Sequence, residues 1–130
     1  IPLAGGGNLS GSHVFEGFLN NNVLSYIQPD IAKWGGFSKC FPLVKRIIER
    51  GKNYCPHFLG GGIGLIASTH LLSASNGSGI LEVDINENPL RSDLIGDLLF
   101  SNKGYATLSE KPGLGYEPQL KNIKKYLVAH

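Results

Sequence analysis

Four positions in this 130-residue chain place chemistry-bearing side chains, or a gap where one would stand, at a regular spacing. Gly7 with Asn8 beside it, Asp30 after Ile27-Gln28-Pro29, His57 after Tyr54-Cys55-Pro56, and Glu82 within Ile80-Leu81-Glu82-Val83-Asp84 follow one another at separations of 23, 27 and 25 residues. That is a steady strand-plus-helix period. In parallel α/β folds, function gathers at the C-terminal ends of strands, where the following loops open on one face. An Asp and a His on neighbouring strand ends can form a general-base pair. The imidazole takes a proton while the carboxylate fixes its tautomer and stabilises the imidazolium that results. A carboxyl at the next strand end can hydrogen-bond an oxygen that gains charge as the proton leaves. The same residues have a plainer use: an Asp before a Gly-rich turn caps it, and a His after Pro satisfies backbone groups.

The elements that must position these residues are short apolar runs alternating with helical patterns, which predicts βαβ units and a parallel sheet. Strands are expected over Ile1 to Ala4, Val23 to Gln28, Asn53 to His57 and Ile80 to Asp84. Helices are expected over Ser12 to Asn20, Lys39 to Arg50 and Gly62 to Ser75. The second should bury Phe37, Phe41, Val44 and Ile48, with Pro42 tolerable only near its first turn. The third is apolar nearly all round and should be deeply buried. Asn86 to Arg91 reads as a turn-rich loop, Asp93 to Phe100 as a short helix, and Pro112 to Pro118 as a hinge before a terminal helix near Gln119 to Leu127. Four such units plus a tail are about half of a (β/α)₈ barrel of ~250 residues. The chain divides into a barrel part, 1–110, and a tail, 111–130.

Composition excludes several classes. At 42% hydrophobic and 17% charged the chain is too apolar for disorder, and its longest apolar stretches are far short of the ~20 residues a bilayer span needs. Twelve basic and ten acidic residues leave a net charge of +2, mostly interleaved, so neither a nucleic-acid face nor a membrane surface is expected. Lys121, Lys124 and Lys125 read as a solvated face. Cys40 and Cys55 have neither the number nor the spacing of a disulfide framework or zinc site, which suggests reduced thiols in a cytoplasmic protein. The absence of Met and the start at Ile1 suggest a piece of something longer. His70 reads as a satisfied packing residue, His13 and His130 as surface residues, and Trp34 with Gly35-Gly36 as a packed tight turn.

One motif competes with the strand-end pair. Gly62-Ile63-Gly64-Leu65-Ile66-Ala67 matches the dinucleotide fingerprint, with Glu82 and Asp84 about 20 residues on. Its context is weaker, because the fingerprint wants a clean apolar strand running into the first glycine and Pro56 interrupts this one.

Several segments together resemble a known family. Pro2-Leu3-Ala4-Gly5-Gly6, Gln28-Pro29-Asp30-Ile31-Ala32-Lys33-Trp34-Gly35-Gly36, Pro56-His57-Phe58-Leu59-Gly60-Gly61-Gly62-Ile63-Gly64 and Leu81-Glu82-Val83-Asp84 look like the C-terminal half of the barrel in the mandelate racemase subgroup of the enolase superfamily. Asn88-Pro89-Leu90-Arg91 and Pro112-Gly113-Leu114-Gly115 are similar to its sugar-acid dehydratase-like members. The resemblance implies an Mg²⁺-dependent reaction in which a proton is removed beside a carboxylate, leading to dehydration of a sugar acid or, alternatively, to racemisation or epimerisation of a hydroxy acid. It implies His57 as catalytic base or acid, Asp30 as its partner, and Glu82 as a donor to the substrate carboxylate. The chain departs from the family at Gly7, which stands where the motif Gly-Glu-Asn places a metal-ligating Glu. A glycine offers no side-chain oxygen to a hard cation, so the chain alone is expected to be impaired or inactive. A half-barrel also exposes strand edges, so association with a missing N-terminal half or with a copy of itself is expected. The remaining alternatives are a non-catalytic remnant and a dinucleotide-binding module.

Overall fold

Proline ends two of the three paired strands. The computed structural model describes residues 1–96 and 103–128. Its sheet has the order β1-β2-β3, all parallel, with β1 at Ala4–Gly5, β2 at Tyr26–Ile27 and β3 at Asn53–Tyr54. Ala4 faces Tyr26 and Tyr26 faces Asn53, while Gly5 faces Ile27 and Ile27 faces Tyr54. The strands are shorter than the apolar runs suggest. Beyond β2 and β3 the Gln28 N–H reaches Gly5 O at 2.8 Å and the Cys55 N–H reaches Ile27 O at 3.2 Å. Pro29 and Pro56 come next, and a residue without an N–H cannot extend a ladder.

The expected fourth strand does not pair among the described residues. Ile80 sends its N–H to the Cys55 thiol at 3.2 Å, so the bond that would open a ladder on β3 ends on a side chain instead. The segment forms no strand, and Ile80 and Val83 are exposed. Three paired strands and one unpaired segment therefore stand in the places of four.

Helices return the chain between strands. α1, Ser12–Leu19, buries Phe15 and Leu19. α2, Gly36–Glu49, starts three residues earlier than predicted, because Gly35 takes the left-handed conformation at φ 69° and turns the chain directly into the helix. Its buried stripe is Cys40, Leu43, Val44 and Ile47, rotated from the expected face so that Phe37 is exposed. Pro42 lies in the second turn, not the first. α3, Gly62–Ala74, matches the prediction to one residue, although Ile63 faces outward. α4, Pro89–Ile95, starts inside the segment read as a loop: the Asn88 side chain accepts the Leu90 N–H at 3.0 Å and Pro89 takes the first helical position. Gly96 ends it, and the remainder of the predicted 93–100 helix falls outside the described residues, as does His130. α5, Leu120–Ile123, runs into a 3₁₀ turn over Lys124–Tyr126.

Two apolar clusters result. Phe15, Ile27, Val44, Ile47, Tyr54 and Leu71 belong to the first, between the sheet and α1–α3. Phe58, Leu65, Ile66, Leu94 and Ile95 form the second, so α3 is the wall common to both. The tail is tied to α4 and α3. Gln119 N–H donates to Leu94 O at 3.1 Å, Lys125 pairs with Asp93 at 2.9 Å, and His70 Nε2 meets Leu114 O at 3.1 Å. His70 is thus satisfied by packing, as its setting implied. Trp34 stacks at a tilt on Phe15, 5.3 Å between ring centroids.

Tyr54 is fully buried, yet its hydroxyl has no hydrogen-bond partner among the described residues. Burial pushes that hydroxyl far above the usual phenol range, so it stays neutral. An unpaired buried hydroxyl costs about 1–3 kcal/mol. Tyr54→Phe is accordingly expected to raise stability by about 1 kcal/mol in urea unfolding, and a comparable loss would show that the hydroxyl is bonded.

Candidate active site

Asp30 leaves β2 one residue after Pro29 and turns at once, its carbonyl accepting the N–H groups of Lys33 at 3.1 Å and Trp34 at 2.9 Å. This tight turn buries the carboxylate, leaving the residue 2% exposed. Oδ1 accepts the Ala32 N–H at 2.8 Å, and Oδ2 lies 3.0 Å from His57 Nδ1. Asp30 and His57 are thus paired across neighbouring strand ends. With Nδ1 engaged by the carboxylate, Nε2 is the imidazole nitrogen left for a reacting proton. The carboxylate is not left uncompensated: Lys33 Nζ lies 3.5 Å from the same Oδ2.

Glu82 is brought to this end of the sheet by a different contact. Gln28 Nε2 donates to its Oε2 at 3.0 Å, so Glu82 is held from β2's end, not by the Asp30–His57 pair. Gln28 and Lys33 are the two site residues that the motif reading passes over. The signal was present, since both flank Pro29-Asp30 within three residues.

Gly7 lies against the imidazole. A Cβ built on Gly7 would stand 2.3 Å from His57 Cδ2 and 2.5 Å from Cγ, closer than real atoms approach. The ring therefore occupies the ground that a side chain at position 7 would need. Among the described residues no group of three or more His, Cys, Asp or Glu side chains is arranged to hold a metal ion. The residues at this turn do not fit the divalent cation of the family pattern.

The glycines of the dinucleotide-like run are used for packing. A Cβ at Gly62 would meet Ile95 Cγ2 at 2.3 Å, and one at Gly64 would meet Phe58 Cε2 at 2.5 Å. They seat α3 on the second apolar cluster. Beside the Asp30 turn, a groove of about 380 Å³ is lined by Asp30, Lys33, Phe58, Leu59, Ile63 and Leu94.

The two thiols are spectators. Burial and the nearby Asp30 charge push Cys40 up to about 11, and its Sγ donates to Trp34 O at 3.0 Å. Burial likewise raises Cys55. Both are free and buried.

The family model described as enolase C-terminal domain-like matches residues 1–122. The chain belongs to this family. Its fold is the α/β C-terminal part of the enolase-type barrel, with a parallel sheet flanked by helices. Among solved structures, a mandelate racemase/muconate lactonizing enzyme from Bordetella bronchiseptica RB50 superposes with a TM-score of 0.87 and 47% identity, covering 98% of this chain and 36% of that one. An arabinonate dehydratase from Saccharolobus solfataricus is 27% identical over 116 residues, 89% of this chain and 31% of that enzyme. A D-galactarolactone cycloisomerase from Agrobacterium fabrum is 28% identical over 125 residues, 90% of this chain and 33% of that enzyme. The chain spans about a third of the length of these curated relatives. No helix among the described residues of this enolase-family chain is long and apolar enough to cross a membrane.

Proposed function

We propose that this chain is the proton-transfer part of a longer enolase-superfamily enzyme that acts on a sugar acid, with dehydration as its reaction. The observation that carries the reading is the 3.0 Å contact between a buried Asp30 carboxylate and His57 Nδ1 at adjacent strand ends. His57 Nε2 accepts the proton on the carbon beside the substrate carboxylate. The electron pair left behind delocalises into that carboxylate, where Glu82, presented by Gln28, in its carboxylic acid form donates a hydrogen bond to an oxygen as it gains charge. The imidazolium, steadied by Asp30, then gives a proton to the departing hydroxide, releasing water and an enol that becomes the 2-keto acid. Delivering a proton to the opposite face of the same carbon instead gives a racemase or epimerase. Dehydration is preferred because relatives named arabinonate dehydratase and D-galactonate dehydratase match over most of the chain.

Mg²⁺ belongs to this reading as the cofactor of the parent family. Gly7 contributes nothing to holding it, so the residues of this chain account for proton movement alone. The chain by itself is expected to be impaired, and in the cell we place it in the cytoplasm, where two free thiols are stable. Among the described residues β1 is paired only with β2, so its outer edge is open to an N-terminal barrel half or to a second copy.

The test joins the chain to an N-terminal half from a relative and offers a panel of aldonates and aldarates in deuterated buffer. The expected result is a 2-keto acid from one of them, with solvent deuterium in the product. Sedimentation velocity on the chain alone is expected to show association. No turnover on any acid by a folded, assembled barrel would remove the reading, and a well-folded monomer would remove the association.

A further inference from the structure

We propose that Lys33 is the positioning residue of the Asp30–His57 pair, serving as a tethered cation at the turn where Gly7 leaves no metal ligand. Three oxygens from two different loops converge on its ammonium: Asn8 Oδ1 at 2.7 Å, Gly7 O at 3.4 Å and Asp30 Oδ2 at 3.5 Å. The ammonium donates hydrogen bonds to Asn8 and Gly7, and its contact with Asp30 is an ion pair.

The arrangement differs from an ordinary surface ion pair, whose worth is small because both ends stay in water. Here the Lys33 side chain is 43% exposed but that of Asp30 is only 3% exposed. A carboxylate taken out of water must be compensated by hydrogen bonds and charge. Of the groups on Asp30, the Ala32 N–H is neutral and the imidazole changes charge when it works. Among the described residues Lys33 alone supplies a constant positive charge to it.

The same contacts act on His57 from its other side. Asn8 and Gly7 form the turn after β1, and Gly7 is the surface against which the imidazole lies. By tying that turn to Asp30, Lys33 fixes both the carboxylate that orients the ring and the backbone that backs it. Its consequence for catalysis rests on reading Asp30 and His57 as the proton-transfer pair, whereas its structural content does not.

The experiment is therefore spectroscopic and needs no substrate. In the full 130-residue chain, ¹⁵N-labelled at histidine, the His57 Nδ1 proton is expected as a low-field signal that exchanges slowly with water. Lys33→Met should accelerate that exchange by about tenfold or more, the loss of a contact to a charged partner, while amide signals of α2 and α3 stay in place. Lys33→Arg, which keeps the charge, should restore the wild-type rate to within about threefold. Asn8→Ala, which removes one anchor and no charge, should accelerate exchange by about threefold, and it decides the matter if Lys33→Met fails to fold. Exchange in Lys33→Met, or in Asn8→Ala should the former not fold, within about twofold of wild type would overturn the proposal, as would equal rates in the Arg and Met variants. A negative result here leaves the proton-transfer reading to its own assay, and failure of that assay leaves this result standing.

Discussion

His57→Asn, in the chain joined to an N-terminal barrel half from a relative, is expected to lower kcat by about 10²–10⁴-fold with little change in KM. Asn has nearly the reach of the imidazole's Nδ1 side and can still donate an N–H to Asp30 Oδ2, so the turn around the buried carboxylate should survive. What it lacks is a basic nitrogen. The contrast with Asp30→Asn is informative, because that variant leaves the base in place but removes the acceptor that orients Nδ1–H. It should cost less than His57→Asn and should disturb the low-field ring proton. Steady-state kinetics and deuterium wash-in on the same samples check both. A loss of under about tenfold in His57→Asn would remove His57 from the proton transfer.

Gly7→Glu is the second large effect, and its direction is the reverse of what the family pattern would suggest. Restoring the carboxylate of the Gly-Glu-Asn motif adds a ligand on paper. In this chain the new Cβ would fall 2.3 Å from His57 Cδ2, so the ring must leave Asp30 before the side chain can enter. Overpacking of this kind costs about 1–3 kcal/mol. Moving the ring also strips Asp30 of one of its compensating donors. The expected outcome is a lower urea midpoint, loss of the Asp30–His57 signal, and no gain of tight Mg²⁺ binding by titration calorimetry. Stoichiometric tight binding with unchanged stability would show instead that the imidazole yields easily and that the metal pattern is recoverable.

Much of this arrangement was legible from residue spacing. The recurrence of Gly7, Asp30 and His57 marked the ends of β1, β2 and β3 because each strand-plus-helix unit consumes a similar length of chain, whereas Glu82 falls on a segment that forms no strand. α1 and α3 were readable because their apolar spacing is helical and their ends are marked by Asn and Gly. The face of α2 was misjudged because its frame is set by the left-handed turn at Gly35, which the apolar pattern does not report. The start of α4 was missed although Asn88-Pro89 is a cap followed by a first-turn proline. The fourth strand was lost because pairing depends on what the neighbour offers, and Cys55 offers a thiol to the Ile80 N–H. Lys33 was overlooked because a lysine in a polar turn looks solvated until the three oxygens around it are seen.

The prolines that stop β2 and β3 have one more effect. Pro29 and Pro56 each stand directly before a member of the Asp30–His57 pair, so the ladder is complete before the pair begins. Substitution at 30 or 57 therefore removes no rung of the sheet. A change at either place is felt in the turn around the buried Asp30 carboxylate, so the sheet frames the pair without depending on it.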